Sequence, residues 1–363
     1  MVCRVGVLSM TSPEVTILTA ARNAGQFVGE TIANMQAQTF RDWEYIIVDD
    51  ASEDDTTEVV ERFIKQDGRI RLLRRSQPGG PFAAANTGLH EARGRYIVRI
   101  DADDLSPVRR IERQLGFLRS HPQFRSCITP WRSFDERGVL RGGQQKLPLT
   151  SDGLKWYLVL RSFASHSSFT VERDALLDVG GYRELPAAQD YRMICRLSRL
   201  GWLGVIPDVL SFVRRHESRI SRTFGNIQEQ LGIDVLVEHL EELTGQVWQK
   251  EEINALWMAG QARQMPVHEG VLFMERWGAL WKDREDLNRR EKDELWFLFH
   301  YHKWRFLHSN LRSQPLSVLR EMARSLSGRS WQNTAAGWDY SLSMLAGRHN
   351  YGKDKLEDLL YLL

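Results

Sequence analysis

Carboxylates gather at two places in the first third of the sequence. Asp101-Ala102-Asp103-Asp104 places acids side by side, and Asp50 ends another apolar run. Closely spaced carboxylates are hard oxygen ligands that suit Mg²⁺ or Mn²⁺ and suit zinc poorly. Mg²⁺ usually takes one or two protein carboxylates and completes its shell with water and substrate phosphates. The cluster at residues 101–104 therefore predicts a divalent-metal site whose companion ligand is a diphosphate.

Asp50 is expected to have a different partner. Its charge would repel phosphates, whereas its oxygens can accept hydrogen bonds from a nucleotide base or a ribose. The sequence has no Gly-x-x-x-x-Gly-Lys-Ser/Thr loop and no Gly-x-Gly-x-x-Gly after its first predicted strand. These motifs bind phosphates through glycine-rich turns, so their absence argues against a P-loop enzyme and a dinucleotide-binding protein.

The elements that position these acids follow an alternating pattern. Short β-rich runs alternate with helical stretches, which predicts a mainly parallel sheet covered by helices. Strands are predicted at Val15–Thr19, Tyr45–Val48, Ile70–Leu73 and Tyr96–Ile100, and helices at 27–38, 56–66 and 83–92. Ligands bind at the carboxyl ends of the strands in open α/β sheets, so both acidic clusters are expected at one crevice. The alternative is helix capping, since Asp104-Leu105-Ser106-Pro107 also fits a helix start.

Composition narrows the class of protein. The 363 residues are 42% hydrophobic and 26% charged, which allows a normal core, and the net charge of +2 argues against a nucleic-acid-binding protein. Cys3, Cys127 and Cys195 are far apart and odd in number, which indicates a reducing compartment. The N-terminus shows no signal-peptide pattern and no apolar run is long enough to span a bilayer. We therefore expect a cytoplasmic protein, either free or peripheral on the inner face of the membrane.

Several segments occur in an order that is typical of one family. They are Val15–Asn23, Gln38–Ser52, Ala92–Asp104, Gly180-Gly181-Tyr182 and Ala188–Arg192. Together they resemble the family 2 glycosyltransferases of the GT-A fold, over roughly residues 14–222. The resemblance implies an inverting transferase that uses a nucleotide-diphosphate sugar, with a UDP-type donor favoured, and Mn²⁺ or Mg²⁺ as cofactor.

The resemblance also implies roles for the acids described above. Asp50 matches the second acid of the family's Asp-Asp-x-Ser turn, which holds uracil or another base. Asp103 matches the acid that contacts ribose and metal, and Asp101 or Asp104 completes the metal site. Each acid is thereby assigned to the donor side of the predicted crevice.

Asp190 matches the aspartate of the family's Glu-Asp pair, which is the catalytic base. It begins a predicted helix, where the helix dipole stabilises a carboxylate, so we expect it to be ionised near neutral pH. An ionised carboxylate can take the proton of an acceptor hydroxyl as its oxygen attacks the anomeric carbon. The metal would offset the charge on the departing diphosphate, and this single displacement inverts the anomeric configuration. The alternative is an acid that only starts a helix.

Two further segments are implied to face the nucleotide. The turn Ala20-Ala21-Arg22-Asn23 stands where the family has Pro-Thr-Tyr-Asn, which makes Ala20 and Asn23 candidates for nucleotide contact. His216 matches a basic or histidine side chain that approaches the diphosphate or the metal, although a surface histidine is the alternative.

The sequence departs from the family pattern in two other places. The family's arginine before the third strand is missing from Ala84-Ala85-Asn86, and Arg22, Arg74 and Arg75 are open as replacements. Gln189 replaces the family's glutamate beside the base. Because Asp190 itself is present, we expect activity to survive.

The domain organisation follows from a change of pattern near residue 228. Apolar residues recur at helical spacing from about Gln230 onward, which predicts an all-helical C-terminal domain at 229–363. Residues 1–228 form the predicted GT-A domain, with a nucleotide half at about 14–105 and an acceptor half at about 106–222. Within the acceptor half, a helix is predicted at about 187–200, ending at Gly201.

The helical tail is rich in aromatic and basic residues, especially at Glu294–His308. One interpretation is an interfacial helix that brings the enzyme to a lipid-linked acceptor. The favoured interpretation is a helical domain packed on the catalytic domain or a homodimer surface, because aromatics at helical spacing usually belong to a core. The acceptor itself is expected to be a glycan or a lipid-linked molecule.

Two other functions stay open from the sequence. A nucleotidyltransferase that makes nucleotide sugars would carry a glycine-rich, basic loop after the first strand, and Ala20–Gly25 lacks it. A non-catalytic nucleotide-binding scaffold has no need of Asp103, Asp104 and Asp190, so their presence argues against it.

Overall fold

A computed structural model describes residues 12–141, 150–160, 165–182, 188–216, 225–260 and 262–327. The described residues contain a seven-stranded mixed sheet in the order β3-β2-β1-β4-β8-β5-β9 and a small sheet in the order β10-β6-β7. The strands are β1 (Val15–Ala21), β2 (Trp43–Asp49), β3 (Ile70–Arg74), β4 (Tyr96–Arg99), β5 (Ser126–Ile128), β6 (Trp131–Phe134), β7 (Leu140–Arg141), β8 (Thr170–Glu172), β9 (Leu203–Val205) and β10 (Ser211–Arg214). This architecture confirms the predicted α/β class.

The parallel part of the sheet brings the acidic strand ends to one edge. Strands β1 to β4 run parallel, with Ala21 opposite Asp49 and Leu18 opposite Arg99. The crossover helices are α1 (Gly25–Gln36), α2 (Thr56–Ile64) and α3 (Gly80–Glu91), close to the predicted ranges. Strand β2 is buried along its whole length, as its continuous apolar sequence predicts for a strand covered on both faces. The residues that follow β2 and β4 therefore lie at the carboxyl edge.

The segment after β4 differs from the expected helix start. Helix α4 spans Arg110–Ser120, so it begins after Pro107 and not at it. Leu105 instead exchanges two main-chain hydrogen bonds with Phe212 of β10, at 3.0 and 2.8 Å. The interpretation of Asp104 as a helix cap is therefore wrong, because this residue sits where the chain joins the small sheet.

The acceptor half adds short elements between β7 and β10. They are α5 (Ser151–Tyr157), a 3₁₀ turn at His166–Ser168, α6 (Arg173–Asp178) and α7 (Gln189–Arg199). Helix α7 confirms the prediction at 187–200, and the chain leaves it through Gly201 at a φ of 71°, a conformation that glycine adopts without strain. Strand β8 pairs antiparallel with β4 and β5, which makes the sheet mixed.

The C-terminal region is helical over its described length. It contains α8 (Gly225–Thr244), α9 (Lys250–Gly260), α10 (Val267–Lys282), α11 (Arg289–Asn310) and α12 (Pro315–Ser327). Its aromatic residues reach the catalytic part: the indole of Trp277 donates to the carbonyl of Trp156 at 2.9 Å, and His302 is hydrogen-bonded to the Tyr157 hydroxyl at 3.1 Å. One hydrophobic cluster includes Leu18 of β1, Leu197 of α7 and Leu298 of α11. The tail thus packs on α5 and α7, as the favoured interpretation expects.

Two remaining expectations concern cysteines and membranes. Cys127 and Cys195 are buried free thiols, and Cys3 lies outside the described residues. Among the helices of the described ranges, none combines the length and the apolar character that crossing a bilayer requires.

Candidate active site

The acidic segment after β4 separates into three side chains with different surroundings. The side chain of Asp101 is 41% exposed and that of Asp103 is 24% exposed, whereas Asp104 is 2% exposed as a residue. Asp101 and Asp103 therefore present oxygens toward solvent, and Asp104 lies beneath them.

Asp103 is held by a histidine from the other sheet. The Nε2 of His216 lies 2.6 Å from Oδ2 of Asp103, and the His216 ring packs against Phe27 at a tilt of 42°, with centroids 4.8 Å apart. The peptide carbonyl of Asp103 accepts a hydrogen bond from Nε of Arg214 at 2.9 Å. Strand β10 thus brings together two residues that the sequence assigned to the donor side, Asp103 and His216.

Asp104 is occupied by protein groups. Its Oδ2 accepts from the Ser167 hydroxyl at 2.5 Å, and its Oδ1 accepts from the main-chain N–H of Arg214 at 3.0 Å. Burial, together with the negative charges of Asp103 and Asp101, raises the pKa of Asp104 well above its ordinary value. In this arrangement Asp104 joins the 3₁₀ turn at His166–Ser168 to β10 and supports the acids above it.

Asp50 follows β2, and its carboxylate accepts hydrogen bonds from the main chain at the start of α3. Its carboxylate accepts from the N–H groups of Gly79, at 3.0 and 3.1 Å, and of Gly80, at 2.7 Å. Arg75 places its Nε 2.8 Å from Oδ1 of Asp50. Gly80 has a φ of 84°, a left-handed conformation that permits this approach. Of the three arginines left open by the sequence, Arg75 is therefore the one that contacts Asp50.

The turn after β1 is held from the loop after β2. Ala20 is partly buried in β1 opposite Val48. The Asn23 side chain accepts from the N–H of Glu53 at 2.8 Å, and the N–H of Asn23 donates to the Ser52 hydroxyl at 2.9 Å. Asn23 has a φ of 49°, a strained conformation for which asparagine is one of the better-tolerated residues. Both candidates thus lie at the carboxyl edge of the sheet, and the Asn23 amide oxygen shapes the turn.

Asp190 lies in the first turn of α7 and is partly exposed. Burial raises its pKa to about 6, although the N–H of Tyr191 donates to its Oδ1 at 2.8 Å and works in the opposite direction. Loss of solvation therefore outweighs the stabilising effect of the helix start on the charged form of Asp190. About nine-tenths of the carboxylate remains ionised at neutral pH.

Asp190 belongs to the same electrostatic environment as the acidic segment after β4. The negative charge of Asp101 raises its pKa, and the positive charge of Arg99 lowers it. Residue 188, which precedes helix α7, is an alanine with a φ of 61°. Left-handed alanines cost free energy, and such strain tends to collect at functional sites. Asp190 therefore lies within reach of the charges at the end of β4.

Sequence reasoning missed Arg99 in this region. The buried Arg99 donates from Nη2 to Oδ1 of Asp101 at 3.1 Å, and His166, beside it, is hydrogen-bonded to the Tyr182 hydroxyl at 2.7 Å. An arginine inside a central apolar strand was the available signal, because charged residues are almost never fully buried unless they are paired.

The donor set fits a divalent metal that is bound mainly by a substrate. Among the residues that the structure describes, no three His, Cys, Asp or Glu side chains converge in a metal-binding geometry. Asp101 and Asp103 nevertheless offer solvent-facing oxygens at one edge, and Mg²⁺ or Mn²⁺ needs only one or two protein carboxylates when phosphates supply the rest.

Comparison with known proteins agrees with this geometry. Residues 16–180 match the sequence model of the family described as Glycosyl transferase family 2. EpsE of Bacillus subtilis (strain 168), a protein named as a glycosyltransferase, is 30% identical over 176 residues, which are 48% of this chain and 62% of EpsE. The chain thus spans about three fifths of the length of this relative.

Two solved structures share the fold. Residues 1–349 of TarS from S. aureus, in complex with UDP-GlcNAc, superpose with a TM-score of 0.56 at 15% identity, covering 83% of this chain and 92% of that one. The mannosyltransferase PcManGT from Pyrobaculum calidifontis, in complex with GDP-Man and Mn²⁺, gives 0.50 at 16% identity, covering 93% and 87%. The fold is therefore the GT-A fold.

Through residues 16–180, the chain is similar to the family 2 glycosyltransferases. Asp190 and His216 lie beyond the matched segment.

Proposed function

We propose that the protein is an inverting glycosyltransferase that moves a sugar from a nucleotide diphosphate to an acceptor hydroxyl by a metal-assisted single displacement. The proposal depends mainly on the position of Asp190. This carboxylate is partly exposed, and its pKa is raised by the charge of Asp101 and lowered by the charge of Arg99, both at the end of β4. A proton acceptor and a candidate metal ligand thus come from separate elements to one region. Such a displacement needs both groups at the same reacting centre.

The donor side consists of the acids and the histidine at the carboxyl edge. We assign Asp101 and Asp103 as metal ligands, with Asp104 supporting them from below and His216 fixing Asp103. Bound Mn²⁺ or Mg²⁺ would stabilise negative charge on the departing diphosphate. The complexes of TarS with UDP-GlcNAc and of PcManGT with GDP-Man and Mn²⁺ support a nucleotide-sugar donor and a divalent metal.

The nucleotide base is assigned to the end of β2. Asp50 is buried and already contacts Gly79, Gly80 and Arg75. It therefore holds the arginine and the start of α3 in place before a base binds. Arg75 keeps 27% of its side chain exposed and can therefore meet a base beside Ala20 and Asn23. We favour a UDP-type donor carrying a hexosyl or N-acetylhexosaminyl group.

Asp190 performs the proton transfer in this scheme. Its ionised carboxylate accepts the proton of the acceptor hydroxyl while that oxygen attacks the anomeric carbon from the face opposite the diphosphate. One displacement of this kind inverts the configuration at the anomeric carbon. The acceptor is proposed to be a glycan or a lipid-linked sugar in polysaccharide or glycoconjugate synthesis.

A thermal-shift screen tests the donor assignment. A ligand that binds only the native state raises Tm, by an amount that grows with its concentration relative to Kd. We expect Mn²⁺ together with one nucleotide-diphosphate sugar to raise Tm more than either component alone. The control is the matching nucleoside monophosphate, which lacks the metal-binding diphosphate and should give a smaller shift. No shift with any UDP, GDP or dTDP sugar would contradict the proposal.

The pH dependence of transfer tests the base. Because the pKa of Asp190 is raised to about 6, the reactive carboxylate is present above that pH and is lost as the pH falls through it. We expect kcat to be level near pH 8 and to fall about tenfold per pH unit well below pH 6. Circular dichroism at each pH separates this loss from unfolding. A kcat that stays constant down to about pH 5, in a folded protein, would exclude Asp190 as the base.

A further inference from the structure

Arg99 conflicts with its place in the sequence pattern. It ends β4, a strand whose other residues pack in the core, and only 1% of its surface is exposed. Burial of a guanidinium carries a large desolvation penalty unless charge and hydrogen bonds compensate it. A residue that breaks the local rule in an otherwise consistent strand is expected at functional sites.

The guanidinium is satisfied in a way that points toward the acids. Its Nη1 donates to the carbonyl of Leu18 at 2.7 Å, which anchors the side chain to β1. Its Nη2 donates to Oδ1 of Asp101 at 3.1 Å, and this carboxylate is 41% exposed. The buried cation therefore holds one oxygen of Asp101, whose side chain remains partly exposed to solvent.

A second set of contacts fixes Arg99 from the acceptor half. Nε of Arg99 lies 3.2 Å from Nε2 of His166, and that nitrogen is 2.7 Å from the Tyr182 hydroxyl. Burial and the charge of Arg99 lower the pKa of His166 well below its ordinary value, so the ring is neutral and can accept. Tyr182 is in turn fixed by Asn86 of α3, whose Oδ1 accepts from the N–H of Tyr182 at 2.9 Å.

The turn that carries His166 also supports the acids directly. The Ser167 hydroxyl accepts from the N–H of Asp101 at 2.9 Å and donates to Asp104. Asp101 is thus held at its main chain by Ser167 and at its side chain by Arg99. Both contacts come from buried residues, which is the usual arrangement of groups that orient a metal-binding carboxylate.

We propose that Arg99 is a positioning residue for the metal–diphosphate complex, acting through Asp101. It presets the carboxylate of Asp101, and its positive charge offsets the acidic segment so that an anionic metal–nucleotide complex can bind there. The inference rests on the proposed function, because it takes Asp101 as a metal ligand.

A double-mutant cycle measures whether Arg99 acts through Asp101. The probe is Mn²⁺ with the nucleoside diphosphate selected by the thermal-shift screen, and its Kd is measured by isothermal titration calorimetry. Arg99→Met should weaken binding by about tenfold, the lower end of the usual effect of such supporting residues. In an Asp101→Ala background the same change should cost less than about twofold, because the partner is already absent.

Two further variants separate positioning from folding. Arg99→Lys keeps the charge but cannot bridge Asp101 and His166, so about a threefold loss is expected, and none in the Asp101→Ala background. If Arg99→Met does not fold, the double-mutant cycle is measured with Arg99→Lys alone. Arg110→Met is the matched control, because Arg110 is equally buried and donates to Gln114, Ser106 and the Arg99 carbonyl. It should lower Tm while leaving Kd within about twofold.

The outcomes distinguish the inference from the function on which it rests. Equal losses for Arg99→Met with and without Asp101, or an equal loss of affinity in Arg110→Met, would overturn the positioning role. A wild-type protein that binds no nucleoside diphosphate with Mn²⁺ would instead overturn the proposed function. The inference is supported if the loss of affinity caused by Arg99→Met disappears almost completely in the Asp101→Ala background.

Discussion

Asp190→Asn should lower kcat by about 10²- to 10⁴-fold, the usual contribution of a general base. Asparagine keeps the size and the hydrogen bond to the N–H of Tyr191 but has no proton-accepting carboxylate. Binding of the donor with Mn²⁺ should stay within about threefold of wild type, because Asp190 contributes to proton transfer and not to the diphosphate site. Transfer by a coupled assay and binding by calorimetry give the two numbers.

The control for Asp190→Asn is Asp178→Asn. Asp178 ends α6 in the same half of the protein, is 55% exposed and pairs with Arg125 at 2.9 Å. Removing such an exposed ion pair should change Tm slightly and leave kcat unchanged. Wild-type kcat in Asp190→Asn, with donor binding intact, would show that another group takes the proton. The residual pH profile of that variant should also lose its acid limb.

Asp103→Asn is expected to weaken both metal binding and transfer. A catalytic metal stabilises the charged transition state by several kcal/mol. Loss of a metal ligand should therefore lower kcat/KM on the order of 10²- to 10³-fold. The change also removes the charge that His216 contacts at 2.6 Å. The half-saturating concentration of Mn²⁺ should rise in parallel, which a titration of activity against Mn²⁺ measures.

Asp67→Asn provides the matched control for the metal site. Asp67 is also largely buried and paired, with Arg69 at 2.8 Å, but it precedes β3 and so lies at the opposite edge of the sheet. We expect a lower Tm and an unchanged requirement for Mn²⁺. If Asp103→Asn and Asp67→Asn alter the Mn²⁺ titration equally, Asp103 is not a metal ligand.

Local pattern was enough to predict the nucleotide half. The runs that became β1, β2 and β4 are mostly apolar, and each is followed by a polar turn, so their burial and the position of Asp50 and Asp103 follow from the sequence. Strands β5 to β7 have only two to four residues each, too few to show a periodicity, and the sequence did not reveal them.

The chemistry of individual acids was less predictable, because it depends on residues far along the chain. Asp104 is held by Ser167 and Arg214, which are 63 and 110 positions away. Similarly, the pKa of Asp190 depends on burial and on Asp101 and Arg99, none of which the helix-start pattern contains. Sequence spacing located the acids, and tertiary contacts determined which of them face solvent.

The C-terminal helices help to hold α7, the helix that carries the proposed base Asp190. His239 of α8 is hydrogen-bonded to Arg199 of α7 at 2.9 Å and to the Lys155 carbonyl of α5 at 2.8 Å. The C-terminal end of α7 is therefore linked through His239 to both α5 and α8. Replacing His239 with an apolar residue would remove both hydrogen bonds, so the tail contributes to holding in place the helix that carries Asp190, the proposed base.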